Sequence, residues 1–202
     1  MDLFAEQGEW ITINNGLIYW HPHFLSLQQA EHYYQQLNNE LDWRQERIMM
    51  FGKSILQPRL QTWLGDAAYT YSGLTMHPQP FTASLMALKA QCEQVAQTPF
   101  NSVLGNLYRD GEDYMGWHQD NEPELGVQPV IASLSFGATR QFVFKHKTTK
   151  EKIAFQLTPG SLLIMAGDTQ QYWQHALPKT KRVNEPRINL TFRYIPKRLQ
   201  YA

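Results

Sequence analysis

Asn106-Leu107-Tyr108-Arg109-Asp110-Gly111-Glu112-Asp113-Tyr114-Met115-Gly116-Trp117-His118-Gln119-Asp120 is the stretch on which the reading of the fold turns. Asn106 and Tyr108 alternate with Leu107, as in an extended chain where residues i and i+2 share a face. Asp110-Gly111 is a turn signal, and residues 115–118 open a second extended segment. His118 and Asp120 also stand two apart, so an imidazole nitrogen and a carboxylate oxygen can meet at one metal ion. Farther on, Tyr172-Trp173-Gln174-His175 offers a second imidazole. Taken alone, an H-x-D pair is more often a hydrogen-bonded His beside an Asp, so the rest of the chain has to decide.

Outward from that stretch, glycine- and proline-bounded strands follow one another. They read as residues 100–109, 115–118, 129–136, 141–145, 152–157, 161–165, 171–176 and 187–194. Short strands at regular spacing argue for a sandwich or closed barrel. Eight of them suit a double-stranded β-helix, the jelly-roll arrangement, so the predicted class is mainly β with flanking helices. In the last strand Arg187, Asn189, Thr191 and Arg193 alternate with Ile188, Leu190 and Phe192, which gives one polar and one apolar face. A polar strand face usually meets water. Here His175 lies just upstream, and Asn106 and Tyr108 repeat the pattern beside H-x-D. The row therefore reads as a pocket for a small dicarboxylate, held by guanidinium forks. Two His and one carboxylate beside it form the facial set of non-haem Fe(II) sites, which leaves coordination positions open.

The first half is read as support and cover. Residues 1–41 are an arm with one strand near 16–20, a surface turn at His21-Pro22-His23, and a helix. Ser26 and Gln29 make a capping box, and Leu27, Ala30, Tyr34, Leu37 and Leu41 recur at helical spacing. Residues 42–98 are a lid and a support helix. Within them, residues 47–53 suggest a hairpin with an exposed apolar tip, and residues 82–98 a helix burying Leu85, Leu88, Cys92 and Val95, closed by Pro99. Residues 99–202 are the jelly-roll core of what is one domain.

Composition narrows the class. Formal net charge is +0, so nucleic-acid contact has to come from local patches such as Lys145, Lys147, Lys150 and Lys152, or Lys179, Lys181 and Arg182. Cys92 is the single cysteine, so no disulfide forms within the chain, which suits a reducing compartment. Residues 1–6 lack a basic segment and a long apolar one, so no secretory signal is expected. Apolar runs such as 162–166 are too short to span a bilayer. The expectation is a cytoplasmic monomer without membrane contact.

His118-Gln119-Asp120, His175 and the R-x-N-x-x-x-R signature from Arg187 to Arg193 strongly resemble the AlkB family of Fe(II)/2-oxoglutarate dioxygenases. The likeness takes in residues 106–108, 133–138 with Arg140, and 159–162. It continues back through 51–53, 58–59, 65–66 and 69–73, where it is similar to the branch with the human-type double-stranded DNA dealkylases. The resemblance implies oxidative demethylation of N-alkylated DNA bases with Fe(II), 2-oxoglutarate and O2, releasing formaldehyde, succinate and CO2. It implies that His118, Asp120 and His175 bind iron. Asn106, Tyr108, Arg187, Asn189 and Arg193 would hold 2-oxoglutarate, and no other catalytic group is needed. Tyr71 would stack on the flipped base, with Tyr69 nearby. Met50, Phe51 and Gly52 would form a finger in the duplex, with Lys53 beside it. Asn121, Glu122 and Arg140 would lie near the base. One departure is Asn121, where a relative has Asp, so the base edge would meet an amide. The implied partner is alkylated DNA, single- or double-stranded, with RNA or protein as alternative substrates of the same fold and a non-catalytic sensor of alkylated nucleic acid as a third reading.

Overall fold

Antiparallel pairing organises the computed structural model, which describes residues 7–50, 52–66, 69–71, 74–76 and 79–196 (for 50, 69–71 and 74–76, the backbone only). The strands are β1 Glu9–Ile13, β2 Gly16–His21, β3 Arg47–Met50, β4 Lys53–Leu56, β5 Leu60–Gly65, β6 Tyr69–Tyr71, β7 Leu74–Met76, β8 Ser102–Tyr108, β9 Met115–His118, β10 Ile131–Gly137, β11 Arg140–His146, β12 Lys152–Leu157, β13 Leu162–Ala166, β14 Trp173–Leu177 and β15 Arg187–Arg193. The helices are α1 Leu27–Glu40, α2 Ala83–Ala96 and a single turn, α3 Thr169–Tyr172. A major sheet runs β1-β2-β13-β10-β15-β8-β5 and a minor sheet β12-β11-β14-β9, while β3–β4 and β6–β7 are separate hairpins. This is the double-stranded β-helix expected from strand spacing.

The two helices cover one face of the major sheet. Leu37 of α1 and Leu85, Leu88 and Cys92 of α2 pack against Val103, Leu134, Ile164, Ile188, Leu190 and Phe192. Between the sheets, Ile131, Leu163 and Met165 meet Phe144, Phe155 and Trp173. Local sequence explains the helix ends. Ser26 Oγ accepts from the Gln29 amide at 3.2 Å, and Gln29 Oε1 accepts from the Ser26 amide at 3.0 Å, the reciprocal box that satisfies two otherwise orphaned donors. Thr82 caps α2, and Gln97 ends it in the left-handed conformation, φ 52°.

Several expectations change. The N-terminal arm holds two strands, joined at Asn14-Asn15, with Asn15 at φ 53°. Asn tolerates that conformation, and β2 then pairs with β13, so the arm is an integral edge of the major sheet. Residues 60–65, read as lid, form β5 and pair with β8 at the other edge. Leu27 is 69% exposed and does not join the buried face of α1. The strand expected at 171–176 starts later, because Thr169–Tyr172 makes a helical turn first.

Candidate active site

β9 and β14 are neighbours, and His118 lies opposite His175. Their Nε2 atoms are 3.1 Å apart, and the rings meet edge-on at 73° with centroids 4.2 Å apart. Asp120 follows on the same side, its Oδ1 3.9 Å from His118 Nε2. One ligand atom from each of the three lies within 4.8 Å of the others. His118 Nδ1 sits 2.9 Å from the Gly116 carbonyl, which assigns the ring proton to Nδ1 and turns the Nε2 lone pair inward.

Asp120 is held at both ends. Its amide donates to Gln170 Oε1 at 2.9 Å, and its Oδ2 accepts from Arg193 Nη2 at 3.0 Å. That second bond joins the loop after β9 in the minor sheet to β15 in the major sheet. Burial would raise the Asp120 carboxyl, but Arg193 and the two imidazoles outweigh it and hold it well below the usual carboxylate range. Burial, reinforced by His118, pushes His175 down to about 3. Burial lowers His118 as well. All three groups thus favour the deprotonated forms that bind metal.

The donor set fits a metal with open positions. Two neutral imidazoles and one carboxylate suit ferrous iron, and structural zinc takes four protein ligands, of which the described residues supply three here.

Beside this group, a buried polar row crosses the major sheet. Arg187 pairs with Tyr108 and Asn189 with Asn106 across β15 and β8, and Asn106 pairs with Gln61 of β5. Asn189 Nδ2 donates to Ser133 Oγ at 2.8 Å, and Arg187 Nη2 to Ser135 Oγ at 3.0 Å. Arg187 Nε is buried without a hydrogen-bond partner among the described residues. Burial pushes the Arg187 guanidinium down to about 10, partly countered by Tyr108. A cationic, under-satisfied row of this kind suits an anionic ligand. The cavity is lined by all five of Asn106, Tyr108, Arg187, Asn189 and Arg193, together with His118, Asp120 and His175. Arg193 stands at the metal end and Arg187 at the end nearer Tyr108.

Sequence reasoning missed Arg59 and Gln61, which line the same cavity. Arg59 Nε and Gln61 Nε2 both donate to Asn106 Oδ1, at 2.8 and 3.1 Å. The amide oxygen is thus occupied, and the Asn106 NH2 is left to face a ligand. Gln57 joins this network through Arg59 and Gln61. The available signal was the family likeness at Pro58-Arg59, to which no role was attached.

Among the described residues, the expected base-contact residues fall in separate places. Arg140 is 2% exposed and donates to the carbonyls of Asp110, Asp113 and Pro178 at 2.8–2.9 Å. Its guanidinium lies 5.9 Å from the Tyr108 ring centroid, with Arg187 at 5.5 Å. It therefore clamps the 110–113 turn, where Gly111 comes so close to Thr180 that a Cβ would sit 1.9 Å from its carbonyl oxygen. Asn121 is exposed and lines a separate depression with Gln119, Lys147 and Gln170. Glu122 is half-buried. Gly52, φ 73°, and Lys53 are exposed at the β3–β4 turn, the hairpin expected from the sequence, which also exposes Met49, Ile55 and Leu56. Phe51 and the side chains of Met50, Tyr69 and Tyr71 lie outside the described residues.

The chain belongs to the 2OG-Fe(II) oxygenase superfamily, whose model matches residues 17–193. Membership implies Fe(II), 2-oxoglutarate and O2. Within that superfamily it is a member of the AlkB family, as its relatives show. It is 44% identical to alpha-ketoglutarate-dependent dioxygenase alkB homolog 3 of Bos taurus, over 86% of this chain and 64% of that protein. It is 41% identical to DNA oxidative demethylase ALKBH2 of Homo sapiens, over 83% of this chain and 69% of that protein. The chain thus spans a little under two thirds of the length of the bovine relative. The solved structure of OsALKBH1 shares the fold, with TM-score 0.63 and 14% identity over 92% of this chain and 100% of that one. Among the described residues no helix is long and apolar enough to cross a membrane.

Proposed function

We propose that this protein demethylates N-alkylated bases of DNA, of the 1-methyladenine and 3-methylcytosine type. The overall reaction joins the N-methyl base, 2-oxoglutarate and O2, and yields the unmodified base, formaldehyde, succinate and CO2. The observation that carries the reading is the convergence of His118, Asp120 and His175 beside a buried guanidinium-bearing row. Iron, when bound, supplies the oxidising chemistry together with 2-oxoglutarate and O2.

The chain's own residues position and exclude. His118, Asp120 and His175 hold the metal, and Arg193 and Gln170 hold the orientation of Asp120. Arg187, with Tyr108, takes the far carboxylate of 2-oxoglutarate, while Asn106 and Asn189 offer amide donors. The apolar lining from Leu104, Phe142, Leu157 and Met165 keeps water from the reacting end. Gly52 and Lys53 at the hairpin turn, together with Phe51, Tyr69 and Tyr71, receive the extruded nucleotide, and Asn121 and Glu122 contribute to its recognition. Extrusion costs a few kcal/mol, least where damage has already weakened pairing. The name of the human relative, DNA oxidative demethylase ALKBH2, supports DNA as the substrate class. A monomer in a reducing, cytoplasmic setting is the arrangement we assign.

The test is mass spectrometry of oligonucleotides bearing 1-methyladenine, 3-methylcytosine or ethenoadenine, single- and double-stranded. Loss of one methylene's mass, CH2, from the methylated oligonucleotides only when Fe(II) and 2-oxoglutarate are both present is expected. Unchanged oligonucleotides, with or without a hydroxylated protein substrate, would overturn the reading.

A further inference from the structure

Trp117 is not accounted for by the site. It is 47% exposed, although it adjoins His118. Strand alternation puts it on the opposite face of the minor sheet from His118, and β9 is the edge strand of that sheet. Lys145 of β11 holds its Nζ 5.9 Å from the Trp117 ring centroid. The same face carries Lys152, which pairs with Lys145 across β11 and β12. Lys147 and Lys150 lie in the adjoining turn. Among the described residues none of these four lysines is ion-paired with a carboxylate, and Glu151 is the lone acid in the segment. The outward row also carries Gln141, Gln156 and Gln174, with only the small or branched apolar side chains of Val143, Ala154 and Ala176 between them, so the face is mixed, with its cations gathered beside Trp117. A buried protein–protein contact or a bilayer would ask for a larger apolar area.

We propose that the outer face of β9 and β11 binds the single-stranded segment adjoining the nucleotide in the cavity. One unpaired base stacks on Trp117, and phosphates meet Lys145, Lys147 and Lys152. An aromatic ring flanked by cations that have no carboxylate partner is the combination that holds single strands without reading their sequence. Continuity with the cavity supports this location, because Met115 and His118 of the same strand line it. The inference rests on the reading of nucleic acid as substrate, and it predicts that affinity depends on strand length.

The experiment is fluorescence anisotropy with the full chain, Mn(II) and N-oxalylglycine. The probes are a single-stranded 12-mer and a trinucleotide, each with one 3-methylcytosine. Trp117→Ala should weaken the 12-mer about tenfold and largely erase its advantage over the trinucleotide, and Trp117→Phe should restore most of it. Lys145→Gln, Lys147→Gln and Lys152→Gln together should reduce the slope of log affinity against log salt by about two. Thermal melts identify any variant that has lost its fold. The inference is overturned if folded Trp117→Ala binds the 12-mer like the wild type, or loses both probes equally through a disturbed cavity. If the wild type binds neither probe, the substrate reading falls together with it.

Discussion

The two faces of β15 are buried alike but behave differently. Ile188, Leu190 and Phe192 pack against the helix-covered core, where each fully buried side chain contributes about 1.5–3 kcal/mol. Arg187, Asn189, Thr191 and Arg193 face the minor sheet, where burying a cation costs free energy unless partners compensate. Arg193 finds Asp120, and Asn189 finds Ser133, but Arg187 keeps an unmatched Nε. One face specifies the fold. The other is incompletely satisfied by the protein alone, as expected where a ligand completes the bonding.

The sharpest break of this contrast is at the metal. His175→Ala should abolish turnover, with isothermal calorimetry showing loss of high-affinity Mn(II) binding while circular dichroism keeps its β signature. On the apolar face, Phe192→Ala should cost about 3–5 kcal/mol in urea unfolding, a loss of fold stability. On the polar face, Arg187→Lys should raise the KM for 2-oxoglutarate roughly 30-fold, with a smaller effect on kcat, because an ammonium cannot reproduce the planar fork. An unchanged KM would detach Arg187 from the cosubstrate.

The titration of the site sharpens the comparison further. His175 is held down to about 3 from 6.5, so the unfolded chain binds the extra proton first as pH falls. Stability of the metal-free protein is therefore fully present above 6.5 and declines as pH drops toward 3. Between pH 6.5 and 5 the decline is at most about 2 kcal/mol from this group, measured by chemical denaturation. His118 shifts in the same direction, and saturating Mn(II) should steepen the dependence because protons compete for the same nitrogens. The smallest effect is expected far from both faces: Ser26→Ala should cost about 1 kcal/mol by removing the α1 cap.

Alternation in β8, β9 and β15, the capping box at Ser26 and the helix stop at Pro99 are local signals, and each appears in the structure within a few residues. The β1–β2 hairpin was legible too, since Glu9 to Ile13 alternates before Asn14-Asn15-Gly16, but its docking on β13 was not. Arg59 lay in a segment that shares the family likeness but was given no role, and Gln61 lay in none. Their role appears only when β5 pairs with β8 and sets Gln61 opposite Asn106. Arg140 illustrates the reverse. A conspicuous cation in a recognisable segment turned out to bind backbone carbonyls, a role no spacing could reveal.

By itself the sequence determined which residues could ligate, which strands had a polar and an apolar face, and which family pattern they matched, because these follow from spacing along one chain. The tertiary structure alone decided that His118 and His175, distant in sequence, sit 3.1 Å apart, and that Arg193 turns to Asp120 instead of to solvent. Those outcomes depend on the order in which strands pair and sheets stack. That order is set by long-range packing summed over the whole core.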